Sequence, residues 1–292
     1  MRFVNYLSKA GTQRGIALRV GGSLRSLAFG QAQKVPTDIQ ELIRRGPAAM
    51  QEAAKLIEAH GDPLVEGKFT YLPPGVGTGR IICVGLNYLD HTKESKFEQP
   101  KYPTLFLRVA SSFVGHEQAL VRPRCSTQFD YEGEMVAYIG KPGRHIPKAS
   151  ALDHVAGYSV SNEGSVRDYQ FKSPQWTVGK NFDQSGSIGP DFVTADEVPP
   201  GGAGLKIETR VNGETVQSAN TSGMVFDLAT VISLVSEAIA LEPGDLILTG
   251  TPAGVGLARE PQLFLRDGDV VEVEVQGIGL LRNRVRDEAK LA

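Results

Sequence analysis

The sequence predicts an α+β fold, a mixed β-sandwich roll preceded by a small N-terminal α/β domain. Short apolar runs typical of strands are numerous, helical patterns are few, and 33 glycines and 17 prolines are spread along the chain as turn residues. Because the strands outnumber the helices and do not alternate with them, Rossmann and TIM-barrel layouts are disfavoured. A chain of 292 residues is long enough for one large domain or two modest domains.

The N-terminal region is expected to begin with short strands and to continue with helices. Residues 1–35 alternate in polarity around Gly21-Gly22, which predicts a hairpin. Thr37 to Gln40 has the spacing of a capping box, so we expect a helix to begin there. Apolar residues then follow a helical period, and Gly46-Pro47 is expected to divide them into two helices. The Pro- and Gly-rich stretch at 71–79 fits neither period and predicts a domain boundary.

After the boundary the sequence predicts short strands and one long amphipathic helix. Asn212-Gly213, between two alternating runs, is the strongest hairpin signal. A helix is predicted over 221–241, and Pro243-Gly244 is expected to end it. Its apolar stripe comprises Leu228, Val231, Ile232, Val235, Ala238 and Ile239. The predicted strands are 81–84, 104–108, 131–139, 205–211, 214–218, 246–249, 270–275 and 280–285.

Charge and cysteine content exclude several classes of protein. With 31 Lys and Arg against 33 Asp and Glu, the net charge is −2, and no basic stretch suits a nucleic acid. Cys83 and Cys125 cannot form a disulfide framework. The N-terminus has no apolar signal region, and the longest apolar stretch, 224–241, contains acidic residues. We therefore predict a cytoplasmic protein with no nucleic-acid and no membrane partner.

Two carboxylates, Glu132 and Glu134, form the sharpest local feature. Residues two apart in a strand project to the same face, so these acids are expected to lie close together. The apolar residues that follow indicate that the strand enters the core, where unpaired carboxylates are unfavourable. A hard divalent cation such as Mg²⁺, Mn²⁺ or Ca²⁺ would stabilise the pair. The alternative is a solvated polar edge of a sheet.

A third carboxylate, Glu163, follows an apolar run at the point where a strand is expected to end. It lies in a polar stretch that also contains Arg167 and Asp168. We interpret these last two residues as a structural ion pair.

His91 and Glu94 are candidates for a general-base pair. They are three residues apart after a buried strand, so at the start of a helix they share a face and can form a hydrogen bond. The alternative is an exposed histidine on a capped surface helix.

Other catalytic devices fit the sequence poorly. No Gly-x-Ser-x-Gly elbow is present, and Cys83 lies inside an apolar strand. The glycine-rich stretch 249–256 lacks the Gly-Lys-Ser/Thr ending of a phosphate loop. We expect it to present backbone N–H groups and a hydroxyl to an anion such as a carboxylate.

Taken together and in order, these stretches resemble the fumarylacetoacetate hydrolase family. The resemblance covers residues 78–287 and implies the C-terminal fold of that family, with residues 1–75 as a smaller N-terminal domain. The matching stretches are 82–91, 103–108, 130–134, 166–170, Lys180 and 246–256.

The resemblance implies a metal held by Glu132, Glu134 and Glu163, with Mg²⁺ or Mn²⁺ expected and Ca²⁺ acceptable in a crystal. The third ligand is usually an Asp, so Glu163 departs from the pattern by one methylene. The resemblance also assigns His91 and Glu94 to water activation and Lys180 to the pocket. Substrate contacts are implied for Arg108, Gln170 and Thr251, with Arg108 expected to hold a carboxylate by two hydrogen bonds. It further implies a homodimer.

The activity implied by the resemblance is metal-dependent hydrolysis of a C–C bond in a small 1,3-diketo acid. An acylpyruvate such as fumarylpyruvate would give pyruvate and a second acid, in the breakdown of aromatic or sugar acids. Decarboxylation of oxaloacetate and isomerisation or hydration of unsaturated 2-oxo diacids are alternatives on the same scaffold. A non-catalytic binding module is a further alternative, although it would not need His91, Glu94 and Lys180 together. Residues 92–102 are polar and are a candidate lid.

Overall fold

The computed structural model describes all residues except 10, 12, 28–34, 95–97 and 289–292. The described part is rich in strands and contains few helices, which confirms the predicted α+β class. The helices are α1 (Ile39–Arg45), α2 (Pro47–His60), α3 (Leu89–Glu94), α4 (Arg167–Gln170), α5 (Thr177–Lys180) and α6 (Leu228–Ala238). The strands are β1 (Arg2–Ser8), β2 (Arg14–Val20), β3 (Ser23–Ser26), β4 (Asp62–Pro63), β5 (Phe69–Leu72), β6 (Ile81–Gly85), β7 (Thr104–Arg108), β8 (Phe113–Val114), β9 (Ala119–Arg122), β10 (Phe129–Asp130), β11 (Gly133–Ile139), β12 (Val155–Asn162), β13 (Ser165–Val166), β14 (Gly186–Thr194), β15 (Lys206–Val211), β16 (Glu214–Asn220), β17 (Leu246–Leu248), β18 (Val270–Val275) and β19 (Gly279–Asp287).

Two large sheets organise these strands. The first has 12 strands in the order β4-β3-β2-β1-β14-β12-β11-β17-β6-β7, with β5 paired to β1 and β8 paired to β14. The second has five strands in the order β16-β15-β18-β19-β9. A short β10-β13 pair lies beside them. Because β1 pairs with both β14 and β5, one sheet runs across the predicted boundary at 71–79. The division into 1–75 and 78–287 stays a prediction.

Strand β11 is buried on both faces. Met135, Ala137 and Ile139 contribute to the apolar core that includes α6 and residues of the five-stranded sheet. Val136 and Tyr138, which alternate with them, contribute to a second core with α1 and α2. Full burial of such side chains stabilises the fold by roughly 1.5–3 kcal/mol each. The start of β11 is therefore a rigid support for the acidic residues beside it.

The turns and helices near the N-terminus lie where the sequence predicts them. Gly21-Gly22 forms the turn between β2 and β3, and Gly46, with φ 84°, separates α1 from α2. The predicted capping residue is corrected by one position. The Asp38 side chain, rather than that of Thr37, accepts a hydrogen bond from the N–H of Gln40 at 2.7 Å. A carboxylate at this position also interacts favourably with the helix dipole.

Helix α6 is shorter than the predicted span 221–241. Its first residue is Leu228, because the Asp227 side chain accepts a hydrogen bond from the N–H of Thr230 and caps the helix. Residues 221–223 form a separate 3₁₀ turn. The helix ends before Ile239, four residues ahead of Pro243, and Ala238 is exposed rather than part of the buried stripe.

The candidate lid, 92–102, falls partly on residues 95–97, which lie outside the described residues. Among the helices that the structure describes, none is long and apolar enough to cross a membrane.

Candidate active site

The carboxylates of Glu132, Glu134 and Glu163 converge on one buried point. Each offers an oxygen within 4.8 Å of the other two. Antiparallel pairing of Gly133 on β11 with Asn162 on β12 places Glu163, which directly follows β12, opposite Glu132, and the Glu163 N–H donates to the Glu132 carbonyl at 2.7 Å. The predicted strand start at residue 131 is corrected, since β11 begins at Gly133 and Glu132 lies just ahead of it. Glu132 is held by its N–H, which donates to Asn162 Oδ1 at 3.0 Å.

The electrostatics of this acidic triad fit a cation. Burial, together with the charges of Glu163 and Glu132, raises the pKa of Glu134. Burial opposes ionisation of Glu132, but the Lys180 and Arg167 cations outweigh it and hold the pKa of that carboxyl well below its usual range. Glu163 Oε1 is buried without a hydrogen-bond partner among the described residues. Three oxygen ligands and an orphaned carboxylate oxygen suit a hard divalent cation, so these residues could hold one.

Lys180 contacts two members of the triad. The side chain is 2% exposed, and Nζ donates to Glu132 Oε2 at 2.8 Å and to Glu163 Oε2 at 2.9 Å. Burial lowers the pKa of the ammonium, but these two carboxylates more than offset the effect and raise it. A lysine ammonium has three N–H donors, so one remains for the cleft that Lys180 lines.

Arg167 is a site residue that the sequence reasoning missed. Its Nε donates to Asp130 Oδ2 at 2.8 Å, and its Nη1 lies 2.7 Å from Glu132 Oε1. The predicted pairing with Asp168 is wrong, because Asp168 instead accepts a hydrogen bond from Ser126 Oγ at 2.6 Å. Nη2 of Arg167 is buried without a hydrogen-bond partner among the described residues, and the side chain lines the cleft.

Arg108, predicted to contact the substrate, is engaged by protein groups in this structure. The guanidinium is buried and donates to Ser112 Oγ at 3.2 Å, to the Gly164 carbonyl at 3.2 Å and to Ser185 Oγ at 2.9 Å. All three nitrogens are thus engaged by protein atoms behind Glu163. The described cleft wall includes Arg167 rather than Arg108. Arg108 therefore anchors the turn after Glu163, and its contact with a substrate carboxylate stays a prediction.

His91 and Glu94 form the expected hydrogen-bonded pair on α3. His91 Nδ1 lies 2.9 Å from Glu94 Oε1, and Glu94 Oε2 accepts a hydrogen bond from the Gly254 N–H at 2.8 Å. The carboxylate thus fixes both the imidazole and the neighbouring loop. Because Nδ1 is engaged, Nε2 is the nitrogen left for a group in the cleft.

The glycine-rich loop binds anions, but they are the protein's own carboxylates. The N–H of Gly250 donates to Glu134 Oε2 and that of Gly256 donates to Asp130 Oδ1, both at 2.8 Å. The Gly254 N–H donates to Glu94, as described above. The prediction that backbone N–H groups of this loop donate to carboxylates is therefore confirmed. The carboxylates belong to the protein itself. The loop thus holds three acidic side chains, those of Glu134, Asp130 and Glu94, by its backbone N–H groups.

These residues surround a small cleft with a cavity volume of about 50 Å³. Thr251 and Gln170, both predicted as substrate contacts, lie on its wall with the triad and the basic residues. Trp176, Phe171 and Leu257 supply an apolar side. The cleft therefore suits a small anion with a short apolar or unsaturated portion.

A family model described as "Fumarylacetoacetate (FAA) hydrolase C-terminal" matches residues 80–286. The human protein "Oxaloacetate tautomerase FAHD2A, mitochondrial" is 39% identical over 290 residues, which are 98% of this chain and 91% of that protein.

Solved structures of two enzymes are also similar to this chain. Fumarylacetoacetate hydrolase from the psychrophile Exiguobacterium antarcticum superposes with a TM-score of 0.86 and 34% identity, covering 99% of this chain and 100% of that one. 2-Hydroxyhepta-2,4-diene-1,7-dioate isomerase from Mycobacterium marinum superposes with a TM-score of 0.73 and 29% identity, covering 99% of each chain. Hydrolase, isomerase and tautomerase names therefore occur among proteins similar to this chain.

Proposed function

The chain belongs to the fumarylacetoacetate hydrolase family, and from this premise we propose that it is a divalent-metal-dependent enzyme that interconverts the keto and enol forms of oxaloacetate. The human relative named as an oxaloacetate tautomerase aligns with 98% of the chain, which supports this choice among the chemistries of the family.

The unpaired Nη2 of Arg167 is the observation that carries the proposal. A buried guanidinium N–H without a partner is unfavourable by about 1–3 kcal/mol or more. A substrate carboxylate would satisfy it with a charge-assisted hydrogen bond. The remaining N–H of Lys180 lies on the same cleft and suits a second substrate oxygen. Two cationic donors at one wall favour a small dicarboxylate such as oxaloacetate over a neutral ligand.

Glu132, Glu134 and Glu163 are the residues proposed to hold the metal. When bound there, a divalent cation supplies Lewis-acid stabilisation of negative charge on a substrate oxygen.

His91 is proposed to move the proton. Its Nε2 removes a proton from C3 of the keto form, and the C–H electron pair becomes the C2–C3 double bond while O2 gains negative charge. Lys180 donates a hydrogen bond to O2 at this stage. The imidazolium, stabilised by Glu94, then returns the proton to O2, which yields the enol and neutral His91. The net change is one proton moved from C3 to O2, with no change in oxidation state.

The first test follows the enol absorbance of oxaloacetate with the full-length chain, before and after EDTA treatment and after Mg²⁺ is added back. We expect EDTA to abolish acceleration and Mg²⁺ to restore it. His91→Ala should lower kcat by roughly 10²–10⁴ while leaving metal affinity unchanged. His60→Ala is the matched control, because His60 is exposed at the end of α2. A fully active His91→Ala variant would show that His91 does not carry the proton.

Hydrolysis of an acylpyruvate remains the second candidate. The observation in its favour is the His91–Glu94 pair, since an imidazole oriented by a carboxylate can also deprotonate water. The two candidates differ in product, because hydrolysis releases pyruvate and tautomerisation does not. A pyruvate-release assay with fumarylpyruvate, run beside the enol assay with oxaloacetate, therefore separates them.

The predicted homodimer is retained as a proposal, which light scattering on the purified chain would test. The predicted cytoplasmic location also stays a prediction, and the human relative carries the word mitochondrial in its name.

A further inference from the structure

Gln217 on β16 connects two parts of the site without lying on the cleft wall. Its side chain is buried, and Nε2 donates to Thr251 Oγ1 at 2.8 Å and to the Pro252 carbonyl at 2.8 Å. Its Oε1 accepts from the Gly133 N–H at 3.0 Å. One amide from the second sheet thus contacts both the glycine-rich loop and the backbone between Glu132 and Glu134.

The orientation of this amide follows from its partners. A backbone N–H can only donate and a backbone carbonyl can only accept, so Oε1 faces Gly133 and Nε2 faces Pro252. The second hydrogen on Nε2 is then donated to Thr251, whose Oγ1 must accept it. A hydroxyl that accepts from a fixed donor keeps its own proton for another partner. Thr251 is 3% exposed and lines the cleft, so this proton is available to a ligand atom in the cleft.

The approach of Gln217 depends on a glycine. A Cβ at Gly133 would collide with Thr209 Oγ1 and would come within 3.4 Å of Gln217 Oε1. Because Gly133 has no side chain, β15 and β16 can pack directly against the start of β11. The contact is thus built by the close approach of the two sheets.

We infer that Gln217 is a positioning residue that fixes the Thr251 hydroxyl as a hydrogen-bond donor to a substrate oxygen. The inference rests on the proposed function, in which an anionic 2-oxo acid occupies the cleft. Gln217 acts through Thr251 and does not touch the substrate. The Thr251 proton joins Lys180 and Arg167 as a third donor toward the oxygens of the substrate.

The test measures the dissociation constant of oxalate, a planar mimic of an enolised 2-oxo acid, by calorimetry on the Mg²⁺-loaded chain. Thr251→Val and Gln217→Met should each weaken oxalate binding about tenfold or more, the usual effect of losing a hydrogen bond to a charged ligand. The double variant should bind oxalate no more than about threefold more weakly than the single variant with the lower affinity, because both changes remove the same donated hydrogen bond. If the two losses of affinity multiply in the double variant, the inference is wrong.

Further variants guard against a merely structural effect. Gln217→Glu keeps the shape and the acceptor for Gly133, but it accepts the Thr251 proton, so it should also weaken oxalate binding even if Gln217→Met folds poorly. Gln276→Met, at an exposed glutamine beside the same sheet, should bind oxalate like the native chain. Mn²⁺ affinity should stay within about threefold in every variant, and a parallel loss of Mn²⁺ affinity would show that Gln217 acts through the acidic triad instead. A native chain that binds no oxalate would contradict the proposed function itself, whereas native binding with additive losses contradicts only the role of Gln217.

Discussion

At the scale of single residues, Lys180 governs the charge of the acidic triad. Its ammonium contacts Glu132 and Glu163, two of the three carboxylates that are proposed to hold a cation. Two positive groups near the same carboxylates repel each other, so we expect Lys180 to limit the affinity for a metal while it supplies a donor to the substrate in the proposed reaction. We therefore expect the Lys180 charge to weaken metal binding and, in the proposed reaction, to stabilise negative charge on the substrate.

We predict that Lys180→Met binds Mn²⁺ more tightly, by about tenfold, because an adjacent positive charge is removed. The same variant should lose at least about 10²-fold in kcat, since the donor to O2 is lost. Calorimetry and the enol assay measure the two effects. Weaker Mn²⁺ binding in Lys180→Met would contradict the assigned competition.

Residue positions close in sequence were predictable, whereas long-range partners were not. The His91–Glu94 pair depends only on helical spacing, and the acidic triad on strand ends. By contrast, Arg108 and Arg167 look alike in sequence as polar residues beside strands. Only the tertiary structure shows that the Arg108 guanidinium donates to Ser112, Gly164 and Ser185. Nη2 of Arg167, by contrast, has no hydrogen-bond partner among the residues that the structure describes. Gln217 carried no local signal, because its partners Gly133 and Thr251 are remote in the chain.

At the scale of elements, short connections between strands do more than the regular strands to form the site. Asp130 on β10 is fully buried and accepts bonds from the Arg167 guanidinium and from the N–H groups of Gly256 and Leu257. It therefore fixes both α4 and the end of the glycine-rich loop.

The start of α6 also depends on a single side chain, since the Asp227 cap decides where the helix begins.

We predict that Asp130→Asn destabilises the fold by about 3 kcal/mol or more. The amide cannot accept hydrogen bonds from both the guanidinium and the backbone N–H groups, and the buried Arg167 guanidinium then keeps only Glu132 of its two carboxylate partners. Chemical denaturation measures the change in the free energy of unfolding. Asp90→Asn is the matched control, because the Asp90 side chain is exposed, and it should change stability by less than about 0.5 kcal/mol. Equal stability of the two variants would show that Asp130 is not a structural anchor.

At the scale of the whole molecule, the site lies where the two sheets meet. The 12-stranded sheet supplies Glu134 from β11, and the residue after β12 supplies Glu163, while β16 of the five-stranded sheet supplies Gln217. The fold class followed from the number of short strands and turns. The order of the strands, including the pairing of β1 with β14, depends on contacts between distant segments and was not accessible from local patterns.

Glu132, Glu134 and Glu163 are proposed to hold one divalent cation that the activity requires. The most direct measurement is Mn²⁺ titration by calorimetry on the EDTA-stripped chain, with Glu132→Gln as a variant of the same shape. We predict one ion per native chain, loss of binding by about 10²-fold or more in the variant, and enol interconversion that appears only with the bound ion. Undiminished Mn²⁺ binding in Glu132→Gln would show that Glu132 is not a metal ligand, and full activity of the stripped native chain would show that the reaction needs no metal.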